Sequence, residues 1–179
     1  MPYSFDDFCS DGRAALAADQ GAEGRESIRV ALERLLSDTD FIAQHLGSDA
    51  PEGMHPIYQD PEYDFMVLTY KMPEPRTSPP HDHGDSWAIY GQVSKHTDMT
   101  VWQHVDSNGE KLEAVRSYRL NPGMAGVYHP GDIHSIDYPA GSTFVRVTGT
   151  DLSKVARKVF DPETEAVKVV QSVGTGNKN

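Results

Sequence analysis

Cysteine is nearly absent from this sequence: Cys9 stands alone among 179 residues. A lone thiol excludes an intramolecular disulfide framework and fits a reducing compartment. Long apolar runs are missing too. No stretch approaches the ~18–20 apolar residues that a membrane span needs, and the opening Met-Pro-Tyr-Ser-Phe-Asp-Asp lacks the basic-then-apolar order of an export signal. Positive charge is scarce: sixteen Lys and Arg face twenty-seven Asp and Glu, a formal charge of −11. That balance repels nucleic acid and anionic membranes at long range. Internal repeats and low-complexity segments are absent as well. The expectation is a soluble, cytoplasmic protein that acts on a small molecule, with no nucleic-acid and no membrane partner.

What is present divides into two kinds of pattern. Residues 4–20 read as a helix, with Ser4 as its cap and Asp6 and Asp7 near the positive end of its dipole. Residues 25–46 resume helically: Ile28, Leu32, Leu35 and Leu36 recur at three and four, and Phe41, Ile42 and Leu46 continue after a break at Ser37-Asp38. Such an apolar stripe serves a partner or the chain's own domain, and packing on its own domain is the commoner use. From Pro51 the character changes to short strand-like runs: 65–70, 86–93, 99–105, 114–120, 125–128, 133–138, 143–148 and 155–160, with 167–170 as a last edge strand. Ser107-Asn108-Gly109 is the clearest hairpin turn among the punctuating clusters. Many short strands at close spacing predict an all-β sandwich or barrel. The division is therefore a helical segment over 1–50 packed on a barrel over 51–171, with a frayed tail over 172–179. One structural domain is expected.

The chemistry concentrates in Ser-Pro-Pro-His-Asp-His-Gly-Asp-Ser-Trp-Ala-Ile-Tyr, residues 78–90. His81 and His83 are two apart, so an extended strand would project both imidazoles from one face. Two imidazoles so placed suit a divalent transition metal, and two loop histidines in water are an equally good reading of this stretch alone. A second element follows later, His129-Pro-Gly-Asp-Ile-His134. Pro130-Gly131 is a turn signal, and His134 begins the next apolar strand at the lip of a sheet.

A His-x-His pair, intervening short strands and then Pro-Gly-Asp-x-His resembles the two-part metal motif of the cupin superfamily. The resemblance covers residues 60–160. It implies an all-β cupin jelly-roll (double-stranded β-helix) barrel with N-terminal helices, and His81, His83 and His134 as metal ligands. Many cupins carry a glutamate four or five positions after the second histidine. Here those positions are Trp87 and Ala88, so the ligand set is three histidines without a carboxylate. By strand alternation from His83, Trp87 is expected on the cavity face, keeping the pocket dry and cationic. Three neutral imidazoles leave the full +2 charge of an ion in place, which favours an anionic ligand.

Among cupins, the stretch resembles the thiol dioxygenases (cysteine and 3-mercaptopropionate dioxygenases) in Pro-Pro-His-Asp-His-Gly, the following Trp and the helices ahead of the barrel. That likeness implies Fe²⁺, with Zn²⁺ or Ni²⁺ as alternatives, a small thiol or carboxylate substrate, dioxygen, and a homodimer through barrel edges. Where that group carries a Ser-x-His-x-Tyr relay, this chain has Phe-Val-Arg-Val-Thr-Gly-Thr over 144–150, so the hydrogen bonds around the substrate must come from elsewhere. Arg146 is the first choice for a carboxylate clamp and Arg76 the second; surface pairing is the competing role for Arg146. Tyr128 presents a phenol beside the metal or packs the interior. Asp82 should face away from the ligands, and Asp85 is placed to orient a histidine or reach the metal. His96, His104 and His129 are expected outside the ligand set. An oxygen-independent Zn or Ni lyase, isomerase or hydrolase, and a non-catalytic ligand-binding cupin, are the rival functions.

Overall fold

Ser4 opens the first helix with a reciprocal cap. Its hydroxyl accepts from the Asp7 amide at 3.1 Å, and Asp7 accepts from the Ser4 amide at 2.8 Å, an arrangement worth ~1 kcal/mol. The computed structural model describes residues 3–109 and 111–171, so the tail expected over 172–179 lies outside the described residues. Three helices come first: α1 Phe5–Ala18, α2 Ala22–Leu35 and α3 Thr39–Leu46. Asp19 accepts from the amides of Gly21, Glu23 and Gly24 at the start of α2. The break at Ser37-Asp38 is a new N-cap, because the Asp38 side chain accepts from the Asp40 amide. No described helix is long and apolar enough to cross a membrane.

Among the described residues eleven strands follow: β1 Gly53–Gln59, β2 Met66–Met72, β3 Arg76–Thr77, β4 Ala88–Ser94, β5 Thr97–His104, β6 Leu112–Leu120, β7 Ala125–Tyr128, β8 Ile133–Tyr138, β9 Ser142–Thr148, β10 Ala156–Asp161 and β11 Ala166–Gln171. All pairs are antiparallel. One sheet runs β1-β2-β9-β4-β7, the other β3-β8-β5-β6, and β10-β11 is a hairpin. The sequence reading missed β1. Its Pro56 interrupts the pattern, and the strand tolerates it by lying at the sheet edge with a register shift between Pro56 and Tyr58.

Alternation along the five-stranded sheet decides which side chain meets which layer. Val67, Ile89, Val145 and Val147 point to the helices, where Phe8, Ile28, Leu32, Leu35 and Phe41 bury against them. Each such fully buried side chain contributes ~1.5–3 kcal/mol. Cys9 is buried in this layer, and burial pushes its thiol up to about 12, leaving it protonated and inert. The opposite residues, Leu68, Tyr70, Ala88, Tyr90, Tyr128 and Phe144, face Met99, Leu120 and Tyr138 of the second sheet. The two sheets thus enclose an aromatic interior. The architecture is a jelly roll with helices covering one outer face.

Candidate metal centre

Pro79 and Pro80 bring the chain to the site along β8. The Ser78 amide donates to the Ile136 carbonyl, and His81 and His134 exchange both backbone hydrogen bonds, at 2.9 and 3.0 Å. On the other side, the Phe160 amide donates to the Pro80 carbonyl and the Asp82 amide to that of Lys158. His81 is therefore a one-residue bridge between β8 and β10. The expected strand through both histidines does not form. After His83 the chain turns at Gly84, whose φ of +59° favours glycine and whose added Cβ would run into the Ala156 carbonyl.

The bridge and the turn nevertheless deliver the three imidazoles to one place. Their ring centroids lie 5.5 Å (His81–His83), 4.7 Å (His81–His134) and 4.9 Å (His83–His134) apart. One nitrogen from each falls within 4.8 Å of the others. All three are buried, His134 completely. Nδ1 of His81 is 2.9 Å from the Pro79 carbonyl, which accepts its proton and leaves the Nε2 lone pair free. Among the described residues, Nδ1 of His83 and both nitrogens of His134 have no hydrogen-bond partner. Leaving such buried groups unpaired costs ~1–3 kcal/mol each. A divalent ion held by nitrogen donors fits this set.

Burial keeps the donors neutral. It pulls His81 down to about 4 against the Pro79 carbonyl, with nearby arginines adding to the effect, and holds His83 and His134 well below the usual histidine range, with the neighbouring imidazoles and Arg146 adding to it. No carboxylate joins the group among the described residues. Asp82 turns away, accepting from the amides of Gly84 and Lys158 at 3.0 and 2.8 Å. Asp85 is exposed and lies outside the cluster, so it neither reaches the imidazoles nor orients them. His129 sits 3.0 Å from an Arg25 guanidinium nitrogen, and His104 packs at the ring of Phe160.

One sequence expectation needs correction. Trp87 does not face the cavity. The turn at Gly84-Asp85 resets the alternation counted from His83, and Trp87 packs with Leu32, Ile89 and Val147 in the helix-facing layer. A Cβ on Gly149 would lie 2.6 Å from its indole nitrogen, which marks how closely the strand passes the ring. Tyr128 does adjoin the histidines, but through its ring: the face stacks on His134 at 3.9 Å, while the hydroxyl is 2.7 Å from that of Tyr118. Burial, reinforced by Tyr118, raises that phenol far above its ordinary range, so it stays protonated.

Arg146 alternates with Phe144 and Thr148 onto the cavity side. Its guanidinium carbon lies 5.1 Å from the Tyr70 ring centroid, and its Nε has no partner. The cavity it lines measures about 1180 Å³ and is shared by His81, Tyr70, Tyr90, Tyr138, Arg76 and Arg157. Sequence reasoning missed Tyr90, whose hydroxyl is 3.2 Å from Nε2 of His83. The signal was available: Tyr90 alternates with Ala88 on the strand that follows the turn. It also missed Arg157, which is far along the chain and reaches the site because β10 joins the His81 bridge.

No protein-family model matches the chain, and no curated protein matches it. Solved structures similar to part of it include KdgF from Halomonas sp., at 19% identity and TM-score 0.42, covering 53% of this chain and 74% of that one. The Schizosaccharomyces pombe Cnp3 cupin domain is similar at 13% identity and TM-score 0.42, covering 55% and 60%. Protein NMB1881 from Neisseria meningitidis shows 17% identity and TM-score 0.42, covering 60% and 94%. Two facing antiparallel sheets, helices on one outer face and three histidines gathered where His81 joins β8 to β10 make this chain a jelly roll with a triad suited to a divalent metal.

Proposed function

We propose that this chain is a mononuclear non-haem iron dioxygenase of thiol-dioxygenase type, acting on a small anionic substrate at His81, His83 and His134. The observation that carries the reading is a triad of neutral, buried imidazoles with no carboxylate among them, one of which, His81, lines the cavity that Arg146 enters with its Nε unpartnered. When bound there, Fe²⁺ would supply a +2 charge, open positions for an anion and for dioxygen, and the redox chemistry that joins them.

The chain's own residues do the rest. Arg146 offers a planar, always-charged fork to a substrate carboxylate. Burial opposes that charge, but the phenols of Tyr70 and Tyr90 outweigh the penalty and hold the guanidinium above its ordinary range. Tyr90 brings a hydroxyl to the edge of His83, and Tyr128 fixes the plane of His134. The Tyr90 hydroxyl stands in for the Ser-x-His-x-Tyr relay. Leu68, Phe144 and Ile136 line the same cavity and exclude water from the reacting group. The proposed reaction balances without a further reductant: a thiolate and one dioxygen give a sulfinate, with sulfur losing four electrons and both oxygen atoms retained on it.

The test is an oxygen electrode with protein loaded anaerobically with Fe²⁺ and a panel of small thiols. Thiol-dependent uptake with one sulfinate formed per dioxygen is expected. Absence of uptake on every thiol would overturn this reading in favour of an oxygen-independent Zn²⁺ or Ni²⁺ enzyme.

A further inference from the structure

Three arginines enter one cavity in a chain that is otherwise acidic. Arg146 comes from β9 in the five-stranded sheet, Arg157 from β10, which joins the other sheet through His81, and Arg76 from β3 at the exposed rim. Among the described residues none of them forms an ion pair with a carboxylate; the ion pairs elsewhere use Arg13, Arg29, Arg34, Arg119 and Lys154. The Nε atoms of Arg146 and Arg157 are both buried without a partner. Two acids also line the cavity. Asp151 is already engaged by the Ser153 amide and Lys154, and Glu52 is exposed.

A single clamp would account for one arginine. Two partly buried guanidiniums on different walls, with orphaned donors and no counter-ion, repel one another unless the ligand supplies two anions. That repulsion is felt locally: burial and then the charges of Arg146 and Arg76 pull Arg157 below the usual arginine range, although Tyr90 and Tyr70 oppose it. The cavity volume of about 1180 Å³ lies above the ~300–1,000 Å³ common for small-molecule pockets, so space does not restrict the site to the shortest acids. Separate walls also fit two spaced carboxylates better than one compact dianion.

We infer that the substrate is a dicarboxylate, with one carboxylate held by Arg146, the second by Arg157, and Arg76 guiding entry at the rim. The inference rests on the reading of this cavity as the substrate site, and it specifies what that site selects.

The experiment measures binding of succinate and of butyrate, acids of equal chain length with two charges and one, by titration calorimetry. The protein is loaded with redox-inert Zn²⁺, and a metal-free sample is run in parallel. Succinate is expected to bind about tenfold more tightly or better in both samples, the scale of one additional charge-assisted pair. Arg157→Gln should bring succinate down to the level of butyrate, and Arg146→Gln should weaken both acids. Equal binding of the two acids by wild-type protein overturns the inference and needs no variant to fold. A succinate preference that survives Arg157→Gln, or that exists only with Zn²⁺, overturns it too, because the ion and not the arginines would then be selecting charge. The two readings fail separately. Oxygen uptake with monocarboxylate thiols and no succinate preference removes only the dicarboxylate, whereas succinate preference without oxygen uptake removes only the dioxygenase.

Discussion

The two faces of the five-stranded sheet use the same strands to opposite ends. On the helix side, Val67, Ile89, Val145 and Val147 meet an apolar layer, and the charged group beside it is fully partnered. Asp60 accepts from Arg13 at 2.5 Å, Tyr58 at 2.7 Å and the amides of Glu62 and Tyr63 at 3.0 and 2.8 Å. On the cavity side, the next residues along those strands include Arg146 and Tyr90, and the imidazoles they face hold nitrogens with no partner. A sheet that packs apolar side chains beside a satisfied Asp60 on one face and leaves several nitrogens open on the other has assigned stability to the first and chemistry to the second.

That contrast can be broken from either side. The largest effect is expected on the helix side. Trp87→Ala should cost about 3–5 kcal/mol of stability, as for other buried aromatic truncations, while stoichiometric metal uptake below the melting temperature is retained. Denaturant titration and elemental analysis on the same sample check both halves, and loss of metal without loss of stability would return Trp87 to the cavity. His134→Ala should do the reverse. Metal affinity should fall more than ~100-fold, since even removing a residue that merely supports a ligand costs 10–100-fold, yet the metal-free variant should still unfold cooperatively. Undiminished stoichiometric metal in that variant would sink the triad.

The smallest effect sharpens the comparison through pH. Burial alone would raise the Asp60 carboxyl, but hydrogen bonds from Tyr58, the Tyr63 amide, Arg13 and the Glu62 amide outweigh it and draw it down to about 2. Its folded value is therefore below the ~3.9 of an unfolded aspartate. The associated stability is fully present above about pH 4 and is lost as pH falls towards 2. Denaturation midpoints between pH 5 and 2 should decline more steeply for the wild type than for Asp60→Asn, and parallel curves would show that this cluster contributes nothing.

Local pattern made much of this legible. The cap at Ser4, the break at Asp38 and the strands ending at Tyr128 and Tyr138 follow from short-range chemistry, and the three histidines follow from the two-part pattern of His-x-His and Pro-Gly-Asp-x-His. The failures share a cause. Trp87 was assigned by counting from His83, and a single left-handed glycine reversed the parity. Pro56 hid β1 because its tolerance depends on an edge position that no local rule supplies. Arg157 carries no local signal beyond its place in the strand-like run 155–160. Its place beside His81 depends on pairing between β10 and the residues before the turn, a non-local contact that periodicity does not carry.

His81 also ties the site to the order in which the molecule is made. The residue is placed to donate to an ion and is sutured to two strands, β8 and β10, that lie far from it along the chain, and non-local strand pairing is intrinsically slow. Before β8 and β10 close on either side of it, a nascent chain offers an ion no more than one mobile His-x-His. The full triad comes into being with barrel closure, so metal selection is deferred until the chain has finished folding. An ion taken up by the site would then be the one available to the closed barrel, not the one first met by the growing polypeptide.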